Sequence, residues 1–315
     1  MKISVKVPAT SANIGPGFDC LGMALPIYNT ITIEETVLPG TGIEINIIYD
    51  KDLEHDIMLD STPMDENSLI YRAIELLYSY IGQTPHELKI TIHTQIPITR
   101  GLGSSSSVIV GGLLAANELL GRPADEAALL SIACELEGHP DNIVPAVVGG
   151  LALSHIQEDG GILYKKFDWP EEWQITACIP DFELSTDIAR SALPLEVPMK
   201  DAIYNNSHLA MLVTAVLTKD EELMKEALHD KLHQPYRMKL VPGFEDITAA
   251  LAHEEGIIGC VISGAGPSIL VISQRNALER IRTIVKDIWA QINVKAEIMH
   301  LAVEKHGAYI IRHED

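Results

Sequence analysis

Residues 100–107 read RGLGSSSS and run straight into VIVGGLLAANELL at 108–120. Gly101 and Gly103 can adopt backbone conformations closed to other residues, so the chain can turn tightly there and admit a ligand close to the main chain. From Ser104 onward the apolar residues predict a buried helix, whose first N–H groups lack intrahelical partners and whose serines can act as caps. Such an end binds anions, phosphates above all. A glycine turn that merely caps a core helix reads the same way, so the loop families must be separated by their residues. A Walker A loop needs a Gly-Lys pair, which this chain lacks, and a dinucleotide fingerprint needs a third glycine where Ser106 stands. A Gly-x-Ser-x-Gly elbow is missing here too. A phosphate bound at this point is held by a loop of another kind.

The 315 residues, 47% of them hydrophobic, suffice for a large core and suggest two domains. No apolar run reaches the roughly 18 residues needed to span a bilayer, and MKISVKVPATS alternates like a strand instead of reading as a signal peptide. The expected location is the cytoplasm, without membrane contact. Cys20, Cys134, Cys178 and Cys260 lie far apart with no C-x-x-C pair, which predicts buried free thiols. A net charge of −21 argues against a nucleic-acid surface, which needs clustered Lys and Arg. An anionic ligand must find a local basic or N–H-lined pocket in an acidic protein.

Alternation predicts strands near 2–7, 29–35, 43–49 and 88–93, and helical spacing predicts helices at 67–80, 104–120 and 125–137. In the first helix Leu69, Ala73, Leu76 and Leu77 share a face, with Asn67 and Ser68 as candidate caps. LALSHI, ILYKKF and ITACI read as further strands, with a boundary near 165–175. Helices follow at 200–218, 221–232 and 244–255, then strands IIGCVI and ILVIS, a helix at 275–291 and a strand near 294–301. This second unit reads as an antiparallel sheet with helices on one face.

Three more stations accompany the opening one. VPATSANIGPGFDCLG at 7–22 reads as a loop between two strands, carrying the polar set Thr10, Ser11, Asn13 and Asp19. ISGAGPSIL at 262–270 reads as a tight glycine turn between two strands. EGHPDNIVPAVVGG at 137–150 crowds Glu137, His139, Asp141 and Asn142 before an apolar helix. An acidic group near a phosphate-binding helix end is what Mg²⁺ takes, since the ion prefers oxygen ligands.

In this order and spacing, PATSANIGPGFD, P-x-x-x-GLGSSSS, EGHPDN and SGAGPS resemble the GHMP family of small-molecule kinases, and within it the branch that phosphorylates L-homoserine. The likeness runs from residue 7 to residue 270. It implies an α+β, two-domain GHMP kinase fold. Residues 1–168 would form an N-terminal mixed α/β domain of ribosomal S5 domain 2-like type that binds ATP, and 169–315 a C-terminal ferredoxin-like α/β sandwich. It also implies ATP as substrate, Mg²⁺ as cofactor, and the threonine-pathway step giving O-phospho-L-homoserine; a homodimer is compatible with it.

The resemblance places the ATP phosphates on Pro97, Arg100, Gly101, Leu102, Gly103 and Ser104 to Ser107, and the adenine near Asn67. Relatives often carry Ala where Ser106 and Ser107 stand, so these two hydroxyls are expected to pack. Ser104 or Ser105 would reach Mg²⁺ alongside Glu137, with Glu135 as an alternative. Around the amino acid the resemblance places Asn13, Asp19, His139, Thr186, Arg190 and Arg237; the planar fork of an arginine suits a carboxylate. Asn142 would orient the reacting hydroxyl, with Arg190 beside it and Asp141 the general base if the reaction uses one. Phosphoryl transfer can run mainly on positioning and charge stabilisation.

Two rivals remain open on the sequence. His229 and His233, at i and i+4 on the helix expected over 221–232, would suit a zinc hydrolase, although Asp230 replaces the usual Glu and Pro235 follows closely. A noncatalytic ligand sensor on the same scaffold would be expected to lose a loop glycine, the metal carboxylate or the arginines, and all of these are present.

Overall fold

The computed structural model describes residues 1–35, 43–50, 65–85 and 87–311. The first sheet comprises β1 (Lys2–Asn13), β2 (Gly17–Glu35), β3 (Ile43–Tyr49), β4 (Leu88–Thr94), β5 (Leu151–Ile156) and β6 (Ile162–Phe167). It runs β1-β2-β4-β3, with β5 added on β2 and β6 on β5. Helices α1 (Leu69–Tyr80), α2 (Ser104–Leu119), α3 (Glu126–Glu137) and α4 (Pro140–Val148) belong to the same half. Val5 and Val7 of β1, Ile31 and Ile33 of β2 and Ile90 of β4 form a core with Ile74, Leu77, Ile109 and Leu113 of α1 and α2. Each such side chain contributes about 1.5–3 kcal/mol on burial.

The second sheet is antiparallel, β10-β7-β9-β8, built from β7 (Trp173–Pro180), β8 (Ile257–Ile262), β9 (Ile269–Gln274) and β10 (Ala296–Leu301). Around it lie α5 (Thr186–Ser191), α6 (Met199–Thr218), α7 (Glu221–Ala227), α8 (Gln234–Arg237), α9 (Phe244–Leu251) and α10 (Leu278–Gln291). Helices cover both faces of this sheet, not the one face expected. Cys178, Ile269 and Val271 pack with Ile247, Val285 and Trp289 of α9 and α10. Ala177, Leu270 and Ile272 pack with Leu212 and Ala215 of α6 and Met224 of α7, and also with Ala9, Leu21 and Met23 of the first sheet. The two sheets thus share one apolar core. The last strand, β11 (Tyr309–Ile311), returns from the second half to pair antiparallel with β1, at the edge of the first sheet.

Several local readings need correction. The stretch 7–22 is mostly strand: β1 runs through PATSAN to Asn13, and β2 begins at Gly17. Alternation disappears there because both sides of the strand are covered, and a register shift between Pro8 and Ala9 moves it from the first core to the shared one. In α1, Ser68 does cap Tyr71 N–H, but Ile70, Ala73, Ile74, Leu77 and Tyr78 are the buried residues, so Leu69 and Leu76 lie only at the margin of that face. The helix expected over 221–232 stops at Ala227. Asp230 draws the chain into a turn by accepting from the backbone N–H groups of Leu232, His233 and Gln234, at 3.0, 2.9 and 2.6 Å. All four cysteines are free, with Cys134 and Cys178 buried but Cys20 and Cys260 only partly so.

Helix α2 is buried on nearly every side. Methyl groups on Gly111 and Gly112 would come within 2.5 Å of Ile31 and 2.8 Å of Ile70, so the paired glycines let the helix sit against β2 and α1. Gly22 does the same for α4: a methyl there would meet the Asp141 carbonyl oxygen at 1.7 Å. Gly22→Ala is expected to destabilise the protein by roughly 1–3 kcal/mol, as overpacking does. The check is a urea titration, in which the midpoint should fall with the slope unchanged; an unaltered midpoint would show that α4 can move away from β2 without cost.

Candidate active site

A cavity of about 390 Å³ opens between the two halves. Ile45, Ile47, Leu69, Ile92 and Val108 line one end, with Asn67 and Ser68 beside them; Gly101 to Ser105 lie along the middle; Asp19, His139, Asp141, Asn142, Thr186, Arg190 and Arg237 occupy the other end. The gradient from apolar to ionised follows from topology. The apolar end is the edge of the first core, and the ionised end is where β1, α4, α5, α8 and the β8–β9 turn converge.

The middle is the N-terminus of α2. Gly103 is its N-cap in the left-handed region at φ 69°, among the described residues no side chain caps the helix, and its first turn carries no acidic residue. The free N–H groups there suit an anion. A methyl on Gly103 would meet Thr10 Oγ1 at 1.9 Å, and one on Gly101 the carbonyl oxygen of Ser263 at 2.2 Å. The loop needs its glycines, then, for left-handed backbone and for close seating on β1 and on the 263–266 turn beneath it. Thr10 N–H donates to the Leu102 carbonyl at 3.1 Å, and Ser263 Oγ donates to the Gly101 carbonyl at 2.7 Å.

Arg100 lines the cavity, while its buried guanidinium is engaged by the carbonyls of Ile98, Pro180 and Asp181 and lies 3.6 Å from Glu183. Pro97 lies outside the cavity, lining a neighbouring cleft. Ser106 and Ser107 are buried and also outside it. Ser107 accepts from Asn29 Nδ2 at 2.8 Å and donates to the Ser104 carbonyl. Ser106 does more than pack: it and Ser105 both donate to Glu137 Oε1, each at 2.7 Å. Glu137 lines the cavity and Glu135 is exposed outside it.

At the ionised end Arg190 grips Asp19 with two hydrogen bonds of 3.0 Å. Asn13 is held at both ends, with Nδ2 donating to the Gly264 carbonyl at 2.8 Å and Oδ1 accepting from Asp19 N–H at 3.0 Å. His139 Nδ1 lies 2.6 Å from Asp141 Oδ1. Burial pulls the His139 pKa down, but the hydrogen bond and charge of Asp141, with Glu137 and Asp19 adding, more than offset it and leave it raised. Arg237 is 2% exposed and bonds the carbonyls of Ala189 and Gly264 at 3.4 and 3.1 Å. Among the described residues no carboxylate is within salt-bridge distance of it. A buried cation in that state, lining a cavity, fits an anionic ligand.

The zinc reading fails on geometry. His229 and His233 share no helix; His233 is buried with Nε2 2.8 Å from the Gly15 carbonyl oxygen, and His229 is exposed. Among the described residues the one cluster of potential metal ligands is Asp19, His139 and Asp141, whose ligand atoms lie within 4.8 Å of one another.

Two family models match this chain: the GHMP kinase N-terminal domain over residues 68–150 and the GHMP kinase C-terminal domain over 212–291. The chain belongs to the GHMP kinases. This GHMP kinase is 42% identical to a homoserine kinase of Trichormus variabilis over 314 residues, covering 97% of this chain and 98% of the relative. It is 40% identical to one of Caldicellulosiruptor bescii, covering 98% and 96% of the two chains. A crystal structure of homoserine kinase from Cytophaga hutchinsonii superposes with a TM-score of 0.85 at 28% identity, over 98% of this chain and 97% of that one.

Sequence reasoning missed Asn29, which lines the cavity and accepts from the backbone N–H groups of Gln95 and Ile96 at 3.2 and 3.3 Å. Its signal was an amide opening an otherwise alternating strand. Gly103→Val in this GHMP kinase is expected to abolish nucleotide binding measured by calorimetry, through forced φ and collision with Thr10, while the far-ultraviolet circular dichroism persists. Unchanged nucleotide affinity would make the loop a structural turn only.

Proposed function

We propose that this GHMP kinase transfers the γ-phosphate of ATP to the side-chain hydroxyl of L-homoserine, giving O-phospho-L-homoserine for threonine biosynthesis. The observation that carries the reading is the buried Arg237, which has no carboxylate partner among the described residues, next to Arg190 and to the carboxylates of Asp19 and Asp141. A zwitterionic amino alcohol matches this set, since its carboxylate can meet the arginines and its ammonium the carboxylates. The names of the relatives support the same substrate.

ATP would lie with its base against Ile45, Ile47, Ile92 and Asn67 and its phosphates on the N–H groups from Gly103 to Ser105. The donors beside that point fit Mg²⁺, a hard cation that takes oxygen. Ser105 and Ser106 occupy Glu137 Oε1, so Oε2 and the Ser104 hydroxyl remain as the oxygens for it. Bound there, the ion supplies charge neutralisation on the phosphates.

The homoserine hydroxyl oxygen forms a bond to the γ-phosphorus as the bond to the β–γ bridging oxygen breaks, ADP leaves with that bond's electron pair, and the hydroxyl proton passes to water. Asp141 is poorly placed as a free base because His139 already engages its Oδ1. A loose transition state asks little of a base, and we assign the rate to positioning by Asn142 and the arginines.

With Mg²⁺ and ATP, ADP release is expected from L-homoserine and not from mevalonate, galactose or shikimate; turnover of another alcohol alone would reject the substrate. Arg237→Leu should raise the homoserine KM about tenfold or more, since a hydrogen bond to a charged group is worth roughly 1.5–3 kcal/mol and 1.4 kcal/mol is tenfold. Asn142→Ala should lower kcat more than Asp141→Asn does. A kcat loss of about 10² in Asp141→Asn with both KM values intact, and a silent Asn142→Ala, would instead make Asp141 the base.

A further inference from the structure

Thr10 stands on β1 beneath the phosphate loop with 0% exposure. Its hydroxyl donates to Asn142 Oδ1 at 2.7 Å, its backbone N–H donates to the Leu102 carbonyl, and its Oγ1 fills the space that a Gly103 side chain would need. One side chain therefore touches both the loop and Asn142, a residue 132 positions away in sequence.

The orientation of the Asn142 amide is set by its two neighbours. Nδ2 lies 3.4 Å from Asp141 Oδ1, a long but attractive approach of donor to acceptor. Turned over, the amide would set its oxygen against that carboxylate oxygen, two acceptors facing each other, and would leave the Thr10 hydroxyl proton without its acceptor. Among the described residues Asn142 Oδ1 is the one hydrogen-bond partner of Thr10 Oγ1. An amide held by its oxygen turns its N–H groups the other way, one toward Asp141 Oδ1 and, among the described residues, the second without a partner and placed to meet a ligand.

We infer that Thr10 is a positioning residue for phosphoryl transfer: its hydroxyl holds the Asn142 carboxamide with oxygen turned inward, so that Asn142 acts on the reacting oxygens as a hydrogen-bond donor. This rests on the role given to Asn142 above. A donor fixed beside the loop is in place before charge develops on the phosphoryl and attacking oxygens, and needs no reorganisation during the reaction. Without the hydroxyl the amide can rotate and present its oxygen, which repels the phosphate.

Thr10→Val keeps the shape, the strand propensity and the backbone N–H while deleting the hydroxyl; Thr10→Ser keeps the hydroxyl. In Thr10→Val, kcat is expected to fall about 10- to 100-fold, as small misplacements in such sites do, with both KM values within about threefold of the parent. Thr10→Ser should recover most of the rate. In an Asn142→Ala background, Thr10→Val should cause almost no further loss, because the group that it orients is gone. Thr10→Ala gives the same readout should the valine variant fold poorly. The inference is overturned by a kcat for Thr10→Val within about twofold of the parent, by an equal loss in the Asn142→Ala background, or by loss of ATP affinity as the main effect, which would make Thr10 a support of the loop alone. If Asn142→Ala by itself is silent, the role given to Asn142 falls, and this inference with it. A harmful Asn142→Ala with a harmless Thr10→Val removes the inference only.

Discussion

The burial of α2 is the constraint on which the site depends. A helix covered on nearly every side must end somewhere, and its N-terminal N–H groups cannot remain unpaired in a dry interior. Here they open into the cavity under a left-handed Gly103 that brings no capping side chain. The same packing that buries Ile109, Val110 and Leu113 thus aims a set of donors at one point. Gly111 and Gly112 are as necessary to this as the loop glycines, because without them the helix could not approach β2 and α1 closely enough.

The second half of the chain reaches that point through its glycine turn. Gly264 N–H donates to the Ala12 carbonyl at 3.1 Å, Ser268 N–H to the Arg100 carbonyl at 3.3 Å, and Leu184 N–H to the Thr99 carbonyl at 3.2 Å. Arg100 completes the tie through carbonyls at the end of β7. These bonds, together with the shared core, hold Arg190 and Arg237 opposite Asp19 and Asp141. An anion can then be bound inside a protein of net charge −21, because the local donors and guanidinium groups outweigh a diffuse surface charge that salt screens.

Charges in the site are arranged as pairs that a zwitterion could exchange for its own. Asp19 and Arg190 satisfy each other, and Asp141 and His139 do likewise, whereas the hydrogen-bond partners of Arg237 among the described residues are carbonyls and an imidazole. The aromatic face of Phe18 lies under both guanidinium groups, 5.7 Å from that of Arg190 and 5.2 Å from that of Arg237, which favours cations side by side. Burial and the neighbouring Arg190 lower the Arg237 pKa, with the nearby acids opposing.

Much of this was legible in the sequence because it is local. Glycines at positive φ, a serine run at a helix start, the period of buried strands and the order of four short motifs are properties of neighbouring residues, and they marked the loop, most elements and the residues that meet in the cavity. What sequence could not show was contact across long separations. That PATSAN is strand was hidden because both of its sides are buried, which erases alternation. That 221–232 breaks was hidden because Asp230 reads as an ordinary helix residue until its carboxylate turns back on the chain. That Glu137 and not Glu135 lines the cavity, the displacement of Pro97 from it, and the work of Ser106 on a carboxylate 31 residues away are likewise tertiary facts. So is the bond from Thr10 to Asn142, since spacing carries no information on which way an amide faces when the group that holds its oxygen comes from another element.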